Sequence, residues 1–116
     1  MEFMEQIIEY IKRAFAYIKQ LIVKFINGCI NFAKHILSWF KNLPLIQTRD
    51  VPFIANANSE EFKQMLKKAP VKNVGIFQGV YNQETEEITH HEYLDADSVD
   101  EETYNVLGKE SLVVLS

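Results

Sequence analysis

The chain has 116 residues, 47% hydrophobic and 24% charged, with a formal net charge of −4. This balance excludes a disordered chain and predicts one folded domain with an appendage. The single cysteine, Cys29, excludes an intrachain disulfide framework and fits an intracellular, reducing setting.

From residue 2 to residue 42 there is no proline, and apolar residues recur every three or four positions. Met4, Ile7, Ile11, Ala14, Ile18, Leu21, Phe25, Cys29, Phe32, Ile36 and Trp39 form one line, and Ile8, Phe15, Ile22, Ile26, Ala33, Leu37 and Phe40 a second beside it. This spacing predicts a long amphipathic helix with a face wider than a two-stranded coiled-coil seam. The opposite side is polar and lysine-rich, with Val23 as its one apolar intruder. Asn27-Gly28 is the weak point, since an interior glycine costs about 1 kcal/mol against alanine; a kink, or a hairpin of two helices, is the alternative to a continuous rod. A continuous rod would run roughly 60 Å, too long for the rest of the chain to cover.

An interaction face is therefore expected on Ile7, Ile11, Ile18, Leu21, Ile22, Phe25, Phe32, Ile36, Trp39 and Phe40. It would drive homo-oligomerisation or dock on a protein partner, or else lie on a membrane surface with its lysines toward anionic headgroups. A transmembrane span is not expected, because lysines interrupt every apolar run before ~18 residues. Glu2 and Glu5 stand where a secretory signal would be basic, so a cleaved leader is not expected either.

Leu43-Pro44 marks a boundary, dividing a helical segment at 1–43 from a small acidic α+β domain at 44–116. Residues 45–55 read as an extended segment that Pro52 confines to an edge. Ser59 caps a short helix with Glu60 and Glu61 in its first turn and Phe62, Met65 and Leu66 on one face, ending before Pro70. Residues 71–81 alternate as a strand, with Val74, Ile76 and Val80 opposite Phe77 and Tyr81. A turn at 82–87 leads to a strand over 88–94, with Ile88, His90, Glu92 and Leu94 on one side and Thr89, His91 and Tyr93 on the other. Asp97 or Ser98 is expected to cap a second helix that Gly108 stops, and residues 112–115 form the last strand. The order β-α-β-β-α-β is that of a ferredoxin-like domain; a smaller sheet of the last three strands, with both helices on one face, is the alternative.

The charge is unevenly divided. Residues 1–44 carry six Lys/Arg and three Asp/Glu, residues 45–116 six and thirteen, and nine acids lie between Glu84 and Glu102 with no basic residue among them. Nucleic acid is not an expected partner of that half, because phosphate contacts need basic side chains.

No motif of catalytic specificity is present, and no cofactor is expected. His90-His91-Glu92 puts at most two ligands on one strand face, short of a metal site. The acids from Asp95 to Glu102 depart from a calcium loop, with Val99 at a ligand position, Asp100 at the turn glycine and Val106 at the bidentate glutamate; helix capping accounts for them. Cys29, on the apolar stripe, reads as a small buried hydrophobe rather than a nucleophile. A small-ligand or regulatory α+β domain, with a pocket at Phe77, Tyr81, His91 or Tyr93, is a further functional class that rests on fold analogy alone.

The stretch GVYNQETEEI followed by DADSVDEETYNVLGKESLVVLS resembles the ends of small uncharacterised proteins of gut-bacterial phages, including small single-stranded DNA phages. The resemblance covers about the last 40 residues, as a pattern of turns and caps, and carries no functional residue across. It implies a phage or bacterial accessory protein, as a virion component, an assembly factor or a host-interaction factor, located in the bacterial host cytoplasm or on the virion.

Overall fold

The computed structural model describes residues 3–65 and 74–115. Helix α1 (Phe3–Ala14) ends in a 3₁₀ turn at Phe15–Tyr17, and the chain is extended by Ile18. Strand β1 (Val23–Ile30) follows, then a π-helix (Phe32–Leu37) that runs into the single turn α2 (Ser38–Lys41). After it come β2 (Asp50–Asn56), α3 (Glu60–Met65), β3 (Val74–Asn82), β4 (Glu87–Val99), α4 (Glu101–Leu107) and β5 (Leu112–Val114).

The protein is α+β, but neither the single long helix nor the hairpin of two helices exists. A strand occupies the centre of the predicted helix, and α1 has only 12 residues. Two causes are visible. Ile22, Val23 and Ile26 are β-branched and fit a pleated surface better than a helix. Gly28 sits at φ 100, a conformation open to glycine at little cost, where it makes a bulge that shifts the register between Ile26 and Cys29.

The five strands of the described residues join one sheet in the order β1-β4-β3-β2-β5. β2, β3 and β4 are successive antiparallel neighbours and β5 returns antiparallel beside β2, giving a Greek-key order; β1 adds parallel to β4. This corrects the ferredoxin-like expectation, in which the first and third strands of the acidic half would be neighbours. Here β3 separates β2 from β4.

Both faces of the sheet are covered. Phe53, Ala55, Phe77, Tyr81 and Tyr93 meet Ile7, Ile11 and Ala14 of α1, Phe15 of the 3₁₀ turn and Phe62 of α3. Ile54, Ile76, Val80 and Leu94 meet Phe32, Ile36 and Phe40 from the π-helix and α2, and Leu107 of α4. Thus α3 and α4 lie on opposite faces rather than one, because the strands of the acidic half are apolar on both sides and each side needs a helical cover.

Local rules place several ends. The Ser59 hydroxyl accepts from the Phe62 amide at 3.1 Å and starts α3, and Gly108 ends α4 at φ 58. The cap of α4 is Asp100, whose carboxylate accepts from the Thr103 amide at 2.9 Å; Asp97 and Ser98 remain in β4 instead. Opposite Val80 and Tyr81 the register skips Thr89. That bulge turns Ile88 onto the α1 face, where it packs against that core, away from the side shared by His90 and Leu94 in simple alternation. Leu66 and the strand residues expected at 71–73 lie outside the described residues.

Candidate interaction site at the β1 edge

The segment from Tyr17 to Ile30 begins where the 3₁₀ turn after α1 gives way to extended chain. It is fastened by backbone groups: the Gln20 carbonyl lies 3.0 Å from His91 Nε2, the Ile22 carbonyl accepts from the Tyr93 amide at 2.8 Å, and the Gly28 amide donates to Asp97 Oδ2 at 3.0 Å. At its end the Ile30 carbonyl accepts from the Asp100 amide at 2.9 Å. Leu21 and Val23 turn partly inward against the α1-side core and Ile26 against the other. By alternation Phe25 shares the side of Val23 and Ile22 the side of Ile26, yet at this edge Phe25 and Ile22 are both exposed.

Tyr17 is 76% exposed, Ile22 55% and Phe25 64%, with exposed Lys19 and Lys24 between them. Among the described residues β1 is an edge of the sheet. From Tyr10 to Arg49 the sequence contains seven Lys/Arg and no Asp or Glu, so the strip lies in the one long cationic stretch of an acidic chain. Exposed apolar groups on an edge strand are what proteins ordinarily blunt or cover.

The ten residues expected on one interaction face are dispersed. Ile7 and Ile11 are buried under α1, and Ile18 and Leu21 are partly buried beside them. Phe32, Ile36 and Phe40 are buried on the opposite side of the sheet, with Trp39 packed edge-on against Phe40 at 4.9 Å. Only Ile22 and Phe25 are exposed. A helical repeat of apolar residues has here been divided between two cores and a rim. Tyr17 is outside the ten because it stands off both apolar lines. Val23, the intruder on the polar side, was the legible sign of a strand, since it makes Ile22-Val23 apolar toward both faces.

The remaining candidates resolve into structural roles. His90 and His91 point to opposite faces; His91 stacks on Phe77 at 5.4 Å, and burial pushes its imidazole below the ordinary value against the pull of the Gln20 carbonyl. Among the described residues no group of three His, Cys, Asp or Glu side chains is placed to hold a metal ion. Cys29 is exposed rather than buried, its thiol 3.5 Å from the Ile30 carbonyl. A groove of about 480 Å³ opens between Ala14, Tyr17, Ile18 and Lys19 on one wall and Glu87, Ile88, Thr89 and His91 on the other; Phe77 lies behind His91, while Tyr81 and Tyr93 are in the core.

Two buried oxygens on the α1 face have no partner among the described residues, the Tyr93 hydroxyl and Asp95 Oδ2. Burial and the neighbouring Asp95 carboxylate push the Tyr93 phenol far up. The hydroxyl lies over Gly75, where an added Cβ would come within 2.5 Å of it, so the glycine makes its room. Removing an unpaired buried hydroxyl relieves a desolvation cost: Tyr93→Phe is expected to raise stability by about 1 kcal/mol in urea unfolding. A loss of that size would show that the hydroxyl has a partner.

No helix among the described residues is long and apolar enough to cross a membrane. No protein-family model matches the chain, and no curated protein or solved structure is significantly similar to it.

Proposed function

We propose that this chain is a non-enzymatic interaction protein that associates with further copies of itself through the strip from Tyr17 to Phe25. The observation that carries the proposal is the exposure of Tyr17, Ile22 and Phe25 along one short segment leading into an edge strand. A twofold contact of two such strips would bring the lysines of one copy, Lys19 and Lys24, near those of the other. A head-to-tail contact avoids this repulsion: α4 displays Glu101, Glu102 and a 68% exposed Tyr104, an acidic and aromatic counterpart to a basic and apolar strip.

Light scattering on the full chain from ten to several hundred micromolar tests the proposal. Multimers are expected, and Ile22→Glu with Phe25→Glu should return the protein to a monomer while leaving its circular dichroism intact. A wild-type chain that stays monomeric over that range overturns it.

A second reading, binding to a membrane surface, is favoured by the absence of acids from Tyr10 to Arg49. Sedimentation with phosphatidylserine vesicles separates the two; a chain left wholly in the supernatant ends the membrane reading. The phage resemblance of the C-terminal stretch sets either reading in the context of an accessory or virion-associated protein in a bacterial host.

A further inference from the structure

The π-helix begins with a reciprocal pair of side-chain caps. Asn31 is its N-cap, extended at φ −102 and ψ 123, and its side-chain oxygen accepts from the Lys34 amide at 2.8 Å. In return, the Asn31 amide donates to Nδ1 of His35 at 2.8 Å. This is the logic of a capping box, in which a side chain near the end of the first turn reaches back to the amide of the capping residue. Glutamate or glutamine ordinarily takes that place, and each remains an acceptor at neutral pH. Histidine does not.

We infer that His35 makes this a proton-sensitive cap, closed while the imidazole is neutral and opened when Nδ1 takes up a proton. A backbone N–H needs a lone pair on Nδ1, so the ring proton of the closed form must sit on Nε2. Protonation puts two donors face to face and the bond has to break.

The surroundings hold the ring neutral. Burial pushes the His35 imidazole down first, Lys24 on β1 and Lys34 on the π-helix push it further, and Asp100 at the start of α4 opposes them. From the sheet, Gln78 of β3 approaches the His35 carbonyl with its amide nitrogen at 3.4 Å and also contacts Glu92 of β4 at 3.2 Å. The first amides of a helical turn disfavour a nearby cation as well. The folded-state value is thus below the ordinary 6.5, and the cap's contribution is complete above that pH and lost as the pH falls through the folded value. What opens is the cover of one core: Phe32 and Ile36, both buried, belong to this segment. The inference stands whether or not the β1 edge is an interface.

Hydrogen exchange of the full chain, followed by NMR from pH 7.5 to 5.5, tests it. After correction for intrinsic exchange, protection of the Asn31 amide should fall about tenfold, the equivalent of one net hydrogen bond, with a midpoint that follows the His35 ring signal and lies below 6.5. His35→Asn puts a neutral carbonyl oxygen where Nδ1 was and should hold the protection level across the range; His35→Ala should lower it at both ends. Flat protection in the wild type, a His35 midpoint at or above 6.5, or an unchanged pH response in His35→Asn overturns the inference.

Discussion

Phe15→Ala is expected to cost about 3–5 kcal/mol, a large fraction of the total stability of a domain this size, whereas Phe25→Ala should stay within about 0.5 kcal/mol. The two phenylalanines stand ten positions apart in a segment that reads as one helix. Phe15 is 1% exposed and meets the rings of Phe53, Phe62 and Phe77 at 6.0, 5.5 and 4.9 Å. It joins the 3₁₀ turn after α1 to two strands and α3, so truncation leaves a cavity that three other rings cannot close. Phe25 lies on the rim. Urea unfolding of both variants, monitored by circular dichroism, measures the contrast; equal losses would mean that Phe15 and Phe25 share one environment, as on a single amphipathic rod.

Asp100→Ala carries the next largest effect, about 2–4 kcal/mol, because one carboxylate closes two elements distant in sequence. Its Oδ1 accepts from the Thr103 amide at 2.9 Å and caps α4, while Oδ2 accepts from the Phe32 amide at 3.0 Å and starts the π-helix. Burial pushes this carboxyl up, but the hydrogen bonds from Thr103 and Phe32 outweigh it and leave the group below its usual value of 3.8. A lowered carboxylate stabilises the fold fully above the unfolded value, and that contribution disappears as the pH falls through the folded one. Melting temperatures between pH 5 and 2 should therefore decline less steeply in Asp100→Ala than in the wild type. Some slope should remain, since Arg49 lowers Asp50 and Lys12 lowers Glu61 by direct hydrogen bonds. Asp100→Asn keeps an acceptor for one amide and should fall between the two. An alanine variant as stable as the wild type would remove the Asp100 carboxylate as the link between the π-helix and α4.

Much of the acidic half is legible in its residues. Ser59 before two glutamates gives a cap that needs nothing beyond the local chain, and the alternation of Ile76, Phe77, Val80 and Tyr81 assigns each side chain to the face it occupies. Gly108 ends its helix for the same local reason, a backbone conformation that costs other residues more. The basic half is less legible because its apolar spacing satisfies two structures. Residues three and four apart fall on one side of a helix, but Ile22, Val23, Phe25 and Ile26 also satisfy a strand whose two sides are both partly covered. The choice between them depends on β4, whose paired residues lie about 70 positions downstream, from Val23↔Tyr93 to Ile30↔Val99. The candidate site shares that ambiguity: an apolar residue is equally apolar in a core and on a rim, and only the packing of α1 against the sheet separates Ile11 from Ile22.

By itself the sequence determined the local events: the cap at Ser59, the stop at Gly108, the weak point at Asn27-Gly28, the apolar residues on both sides of the strand that ends at Tyr81 and the division of charge between the halves. These follow from backbone preferences and side-chain chemistry within a few residues. Only the tertiary structure decided that the stripe would be split, with Ile7, Ile11 and Phe15 under one face of the sheet, Phe32, Ile36 and Phe40 under the other, and Tyr17, Ile22 and Phe25 outside. The physical reason is that hydrophobic burial is not directional. Which surface covers an apolar side chain is settled by the partners the rest of the chain brings to it, and here a five-stranded sheet needed two covers from a segment patterned like one helix.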